Sequence, residues 1–403
     1  MLLLSRATLS VYSSPMRIIT DTPALAELCK SLSEAPYVTV DTEFIREKTY
    51  WSQLCLVQVA GPKDVAAIDP LAENIDLTPL LELMANPNVL KVFHAARQDI
   101  EIFFHINGTI PAPLFDTQIA AMACGFGDSI AYETLVSRLA KARINKAQRF
   151  TDWAHRPLSE KQLEYAIADV THLRVIYEKL HEKLETTKRM DWLKSEMATL
   201  TDPAIYCMEP REAWRRLKTR NANRRFLATV RELAALRETL AQKQNVPRNR
   251  VFRDDALLEI AAQMPETTAD LRRCRGIGKA SENRLGTAIV EAIQAASALA
   301  EDACPMPPKR VANQGGLGPT VDLLKVLLKM KCEEHSVAQK LIASSSDLEQ
   351  IAADDNADVP ALRGWQRSMF GEDALALKNG GCALAIENGK VRLVTTQKKP
   401  SDA

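Results

Sequence analysis

Apolar positions divide the first half of the chain into short strands and helices. Their spacing predicts helices at about 77–85 and 98–106, and strands at Tyr37–Val40, Leu54–Val59, Val65–Ile68 and Leu90–Phe93. Three early strands followed by strand–helix alternation predict a mixed sheet flanked by helices, an α/β layer domain over about residues 17–200. Within this domain, the pattern beyond residue 115 is wholly helical.

The second half of the chain is predicted to form two helical blocks, at about 211–300 and 320–375. The stretch between them is rich in Pro, Gly and Asn, which is typical of a linker. Two short apolar runs near the end, separated by the turn Asn388-Gly389, predict a β-hairpin.

Composition narrows the class of protein. With 403 residues, 46% of them apolar and 26% charged, the chain is globular and long enough for two or three domains. The eight cysteines have no zinc-type spacing and favour reduced thiols in a cytosolic protein over a disulfide framework. No apolar run approaches the roughly 18 residues of a membrane span. We expect a cytoplasmic location.

The first sixteen residues carry a short Leu run and one charge, Arg6, after it. This order is wrong for a secretory signal, which begins with its positive charge. We expect a disordered leader or an over-extended start, with an organelle targeting peptide as the alternative.

Candidate chemistry begins with Asp41-Thr42-Glu43, at the end of a β-branched strand. Residues i and i+2 of a strand point to one face, so both carboxylates project together. Mg²⁺ and similar hard cations prefer such oxygens. Alone, the pair is equally compatible with an ordinary acid pair at a strand end.

Two further positions carry acids at helical spacing. Asp99 falls in the first turn of a predicted helix, where an acid is also favoured by the helix dipole alone. Tyr165 and Asp169 are four residues apart and share one helix face. A Tyr–Asp hydrogen bond between helices would explain that pair equally well.

The order of these groups resembles the DEDDy subgroup of the DEDD 3′→5′ exonuclease superfamily. Asp99 follows Glu43 by 56 residues, and Tyr165 follows Asp99 by 66. The sequence around these groups is similar to the bacterial ribonuclease D family. The similar segments are VDTEF, LVQ, FDT, KAQRFTDW, RPL and YAIADV.

This resemblance implies a ribonuclease H-like sheet and a 3′→5′ exoribonuclease that releases nucleoside 5′-monophosphates from tRNA precursors and other structured RNAs. It implies two divalent ions, Mg²⁺ or Mn²⁺. Asp41 would contact both, Glu43 and Asp169 the ion on the nucleophile side, and Asp99 the second. Tyr165 would orient the attacking water, because a phenol of ordinary pKa is protonated at neutral pH.

The part of the chain after the predicted nuclease domain also resembles known domains. The segments PREAWRRL and NVPRNRVFRDD resemble an HRDC domain, a small helical nucleic-acid-binding module, and the following block resembles a second, divergent one. The expected organisation is a leader, a nuclease domain, an HRDC-like domain, a linker and a second HRDC-like domain, at residues 1–16, 17–203, 209–300, 301–319 and 320–395.

RNA is the expected partner of a monomeric protein. Residues 211–250 hold twelve Arg/Lys against three acids, a net charge of +9, which suits phosphate binding better than a solvated helix face. Candidate contacts are Lys146, Arg149, Trp153, Arg215, Arg216 and Arg248. Trp153 is equally well explained as a core anchor, and the turn Gly276–Lys279 as an interhelix turn or a phosphate nest.

The alternative functions are a DNA 3′→5′ exonuclease and a non-catalytic RNA-binding protein.

Overall fold

The computed structural model describes residues 17–219, 221, 223–277, 283–307 and 316–396. Several predicted features lie outside the described residues. They are the leader at 1–16, the side chain of Lys146, the turn residues Gly278 and Lys279, and the middle of the linker.

A six-stranded mixed sheet forms the first part of the molecule, which confirms the predicted α/β class. Its strand order is β1-β4-β3-β2-β5-β6, with β3 antiparallel to β2 and β4 and the other neighbours parallel. The strands are β1 Ile18–Ile19, β2 Tyr37–Ile45, β3 Gln53–Ala60, β4 Val65–Ile68, β5 Leu90–Phe93 and β6 Leu114–Asp116.

Helices cover the sheet, and α6 begins at a capping box in which Ser159 and Gln162 bond each other's main chain. Buried α6 residues such as Ala166 and Val170 pack toward the sheet. The helices of this part are α1 Thr22–Ser33, α2 Thr78–Ala85, α3 Arg97–Asn107, α4 Thr117–Ala123, α5 Tyr132–Leu135, α6 Glu160–Thr187 and α7 Lys194–Leu200.

A separate helical unit follows, built around a core that includes Trp214 and Leu257. The 3₁₀ turn Pro210–Arg216 packs against its longest helix, α8. Its helices are α8 Arg224–Gln244, α9 Arg248–Val251, α10 Asp254–Gln263, α11 Thr268–Leu271 and α12 Arg284–Ser297.

The last part combines helices with a two-stranded sheet. Its elements are α13 Gly318–His335, α14 Ser345–Ala353, α15 Gly364–Gln366, α16 Glu372–Lys378, β7 Cys382–Glu387 and β8 Lys390–Thr395. Strands β7 and β8 pair antiparallel, and both turn residues, Asn388 and Gly389, have positive φ, so the predicted hairpin is confirmed.

This last part shares one hydrophobic core with α4 and α6. The indoles of Trp192 and Trp365 stack with centroids 4.2 Å apart. The Arg189 guanidinium donates to the His335 carbonyl at 2.7 Å, and the Ala338 amide donates to the Met122 carbonyl at 3.0 Å. The block therefore packs as a continuation of the nuclease part's core.

All eight cysteines lie among the described residues as free thiols, and Cys207 alone is exposed. None of the helices in the described part of the chain has the length and apolar character needed to cross a membrane.

Candidate active site

Strand β2 carries the first two acids through the middle of the sheet. It pairs with β3 on one side and β5 on the other, and its pairing with β3 continues through Asp41 and Glu43 to Ile45, with an irregularity after Glu43. Asp41 and Glu43 therefore lie within the strand near its end, as predicted. Main-chain bonds to β3 extend the strand past the apolar run and fix both carboxylates on one face.

Helix α6 brings Tyr165 and Asp169 to the same face. The Thr39 hydroxyl donates to the Val170 carbonyl at 2.8 Å, and the Tyr132 hydroxyl donates to the Asp169 carbonyl. These bonds tie α6 to β2 and α5. Carboxylate oxygens of Asp41, Glu43 and Asp169 consequently lie within 4.8 Å of one another.

Asp99 lies beside this group rather than in it. Its side chain is buried in the first turn of α3, and its Oδ1 accepts a 2.5 Å hydrogen bond from the Thr42 hydroxyl. Asp116 fixes the turn that precedes α3, because its carboxylate accepts from the amides of Ala95 and Ala96 at 3.1 and 2.9 Å. Asp116 also caps α4, where its carboxylate accepts from the amides of Gln118 and Ile119.

Burial raises the pKa values of the four acids, and for Asp41, Glu43 and Asp99 neighbouring acids add to the effect. Burial, and then the charge of Asp169, raises the pKa of Asp41 to about 8. Burial and the neighbouring acids raise the pKa of Glu43 to about 10, against an opposing effect of Arg149. Burial raises the pKa of Asp169 to about 7, although hydrogen bonding from Tyr165 opposes it. Burial and Asp41 hold the pKa of Asp99 well above its usual range.

The acids suit a divalent cation. Asp169 Oδ1 is buried without a hydrogen-bond partner among the described residues, and an unpaired buried oxygen is costly. A hard cation ligated by oxygens would satisfy this atom and offset the mutual repulsion of the carboxylates.

The acids open into a cleft of about 560 Å³. Arg149 and Phe150 form part of its wall, with the loop Ser129–Tyr132 on another side. The loop is supported from the C-terminal part, where the Lys340 amide donates to Asp128 Oδ1 at 2.8 Å. Strand β2, helix α6, the segment with Arg149 and Phe150, and the loop Ser129–Tyr132 therefore all contribute residues to one cleft.

Two predicted RNA contacts are engaged elsewhere. Trp153 is 2% exposed and packs with Cys55, Leu56 and Ala166, so it is a core anchor and offers no free ring face to a base. The Arg248 guanidinium holds Glu238 at 2.5 and 2.6 Å. The expectation that Trp153 contacts RNA is corrected by its burial, whereas for Arg248, which is partly exposed beside its ion pair, RNA contact stays a prediction.

Several arginines of the predicted basic segment, residues 211–250, form hydrogen bonds and ion pairs within the protein. Arg225 donates to the carbonyls of Ala296, Ser297 and Leu299, at the end of α12. Arg237 is 4% exposed and pairs with Asp254 at 2.7 Å. Arg215 and Arg216, in contrast, are exposed, and Arg215 pairs with Glu212. The net charge of the segment thus overstates the charge available to a phosphate chain.

Among the cleft residues that sequence reasoning missed are Thr42, Tyr132 and Phe150. Thr42 stands between the two β2 acids, and its polar character on a buried strand was the available signal. No sequence signal marks Tyr132, which reaches Asp169 across 37 positions of the chain. The exposure of Phe150 is equally invisible in the sequence.

The mixed sheet and its acidic cleft suit a nuclease that uses divalent metal. The chain matches the 3′-5′ exonuclease family over residues 16–185 and the HRDC domain family over residues 226–293.

Curated relatives extend the similarity to nearly the whole chain. Ribonuclease D of Granulibacter bethesdensis is 50% identical over 397 residues, which are 98% of this chain and 100% of that protein. Ribonuclease D of Nitrobacter hamburgensis is 52% identical over 378 residues, 93% of this chain and 98% of that protein. The crystal structure of Escherichia coli RNase D, described as an exoribonuclease involved in structured RNA processing, matches with a TM-score of 0.78 and 29% identity, covering 91% of this chain and 99% of that one.

The chain belongs to the ribonuclease D family. It is a hydrolytic 3′→5′ exoribonuclease, which confirms the predicted family, fold and enzyme class.

Proposed function

We propose that this exoribonuclease trims the 3′ ends of tRNA precursors and other structured RNAs, releasing nucleoside 5′-monophosphates with two Mg²⁺ or Mn²⁺ ions. The observation that carries the proposal is the convergence of the Asp41, Glu43 and Asp169 carboxylates within 4.8 Å, with an unpartnered Asp169 oxygen. We further propose that the protein acts as a cytoplasmic monomer.

Asp41, Glu43 and Asp169 would hold the metal, and Asp99 would support it from beside the group. Bound divalent ions would supply a water of lowered pKa and stabilise charge on the attacking and leaving oxygens. Tyr165 lies one helical turn before Asp169 and hydrogen-bonds to it. The protonated phenol is thereby positioned to orient a water, because burial and the neighbouring acids raise its pKa.

The remaining domains would hold the RNA that feeds this cleft. We propose the division predicted from the sequence: nuclease 17–203, HRDC-like 209–300, and a second helical block 320–395. Arg149 on the cleft wall and the exposed Arg215 and Arg216 are the proposed phosphate contacts. The E. coli relative is described as acting in structured RNA processing, which supports structured RNA as the substrate class.

The test uses purified protein, Mg²⁺ or Mn²⁺, and tRNA precursors with 3′ trailers of different lengths. We expect stepwise shortening with mononucleotide products, abolished in Asp41→Asn and kept in the control Asp322→Asn, an exposed acid of α13. Matched RNA and DNA oligonucleotides test the substrate. Equal or faster DNA hydrolysis would favour the DNA exonuclease, and full RNA degradation by Asp41→Asn would overturn the assignment of the site.

A further inference from the structure

Phe150 is an aromatic side chain left open to solvent on the wall of the acidic cleft. It is 90% exposed, more than any other large hydrophobic residue in the described part of the chain. A scattered apolar side chain on a surface needs no explanation by itself. This ring, however, borders the same cleft as Asp41, Glu43 and Asp169.

The segment that presents Phe150 is firmly anchored. Trp153, three residues later, is buried in a core beneath it. The Arg156 guanidinium bonds both Asp69 oxygens, at 2.6 and 2.7 Å, and the Cys55 carbonyl at 2.7 Å. Gln162 donates to the Thr151 hydroxyl at 3.2 Å. The main chain that carries the exposed ring is therefore anchored on its C-terminal side, which supports a preorganised binding surface at the cleft.

Arg149 completes the surface with a positive charge. Its guanidinium carbon lies 5.3 Å from the centroid of the Phe150 ring. Arg149 also lines the same cleft as Asp41, Glu43 and Asp169. A cation at this position attracts an RNA phosphate toward the cleft. An aromatic face beside a cation is the combination that holds single-stranded nucleic acid without sequence preference.

We propose that Phe150 is a stacking platform for one nucleobase near the 3′ end of the RNA, with Arg149 contacting an adjacent phosphate. The ligand class is any unpaired nucleobase, because every base has a π face. The platform binds and aligns the strand and takes no part in bond cleavage. The inference rests on the proposed function of the acidic cleft.

The experiment compares Phe150→Ala and Phe150→Trp with the unaltered protein on single-stranded oligoribonucleotides. One series carries a single abasic ribonucleotide at each of the last four positions in turn. We expect Phe150→Ala to raise KM roughly tenfold, with kcat within about twofold, and Phe150→Trp to restore KM, because base stacking accounts for much of single-strand affinity. Ile386→Ala is the matched control, since Ile386 is also an exposed apolar residue, 78% exposed on the β7–β8 hairpin.

The abasic series identifies the stacked base. At one position the unaltered protein should lose as much as Phe150→Ala loses on intact RNA, and Phe150→Ala should lose nothing more there. An unchanged KM in Phe150→Ala, or losses that add at every abasic position, would overturn the platform. Failure of the underlying site is distinguishable, because it would appear as activity retained in Asp41→Asn whatever happens at Phe150.

Discussion

The guanidinium of Arg248 lies over the ring of Tyr50, with its central carbon 4.8 Å from the ring centroid. Tyr50 belongs to the nuclease part and Arg248 to the HRDC-like part. The Tyr50 hydroxyl donates to Glu238, which is 1% exposed and also accepts from Arg248. The Asn245 side chain accepts from the amides of Tyr50 and Trp51 at 3.1 and 3.0 Å. This polar network joins the two parts of the molecule.

Loss of Arg248 should destabilise the protein. Arg248→Ala leaves the Glu238 carboxylate buried without its cation, and breaking a buried pair in this way costs about 3–5 kcal/mol. Because Arg248 is partly exposed, we expect about 2–3 kcal/mol from chemical denaturation. Arg248→Ala with Glu238→Gln should recover part of the loss, since the double variant buries no uncompensated charge.

Arg216 provides the contrasting case, because its side chain is exposed on the turn that precedes α8. Arg216→Ala should leave the unfolding free energy unchanged. It should weaken RNA binding and reduce the slope of log affinity against log salt by about one. Fluorescence anisotropy at several salt concentrations measures both quantities. A change in stability without a change in the salt slope would assign Arg216 a structural role instead.

The sequence predicts those elements that are determined by residues close together in the chain. The Asn388-Gly389 hairpin follows from turn chemistry, and the pairing of Asp41 with Glu43 on one face follows from strand geometry. Strands β1 and β6 were not predicted, because two or three residues carry no periodicity. They exist through parallel pairing with β4 and β5. Such pairing is tertiary and leaves little trace in the local pattern.

The candidate site shows the same division. The order of the acids can be read from the sequence. Whether a given Arg or aromatic side chain is exposed, buried or ion-paired cannot. Trp153 and Phe150 are three residues apart, yet the first is 2% exposed and the second 90%. Arg248 is indistinguishable from Arg216 by residue type, and the difference lies in Glu238, ten positions earlier and one α-helix away.

Trp153 should behave as a core residue. Trp153→Ala removes a large buried side chain, and we expect a loss of about 3–5 kcal/mol in unfolding free energy. Trp153→Phe should be much milder, since the indole N–H has no hydrogen-bond partner among the described residues. The measurement is denaturation of both variants together with their KM. A stable Trp153→Ala protein with raised KM would restore the stacking role that burial argues against.

Removal of the Tyr165 hydroxyl should impair turnover more than binding. In Tyr165→Phe the ring remains, and the hydrogen bond to Asp169 and the proposed water contact are lost. We expect kcat to fall about a hundredfold, the cost of a misplaced reactant, with KM nearly unchanged. Calorimetric titration with Mn²⁺ serves as the control and should show metal affinity within a few fold of the unaltered protein. A large loss of metal affinity would mean that Tyr165 acts by holding Asp169 in place.

Metal binding and pH should be linked through Asp41. Its pKa is raised from 3.8 to about 8 in the folded protein, so the folded state binds more protons than the unfolded state between these values. Without metal, the stability contributed by the protonated carboxyl is present below about pH 4 and is lost as pH rises toward 8. Mg²⁺ or Mn²⁺ competes with those protons, so the rise in Tm on adding metal should grow between about pH 6 and pH 8. Thermal denaturation with and without metal measures this rise, and Asp41→Asn should reduce its pH dependence, with the remainder due to Asp169 and Glu43, whose pKa values are also raised. A metal-induced rise independent of pH, or one kept in full by Asp41→Asn, would show that the cation binds away from these carboxylates.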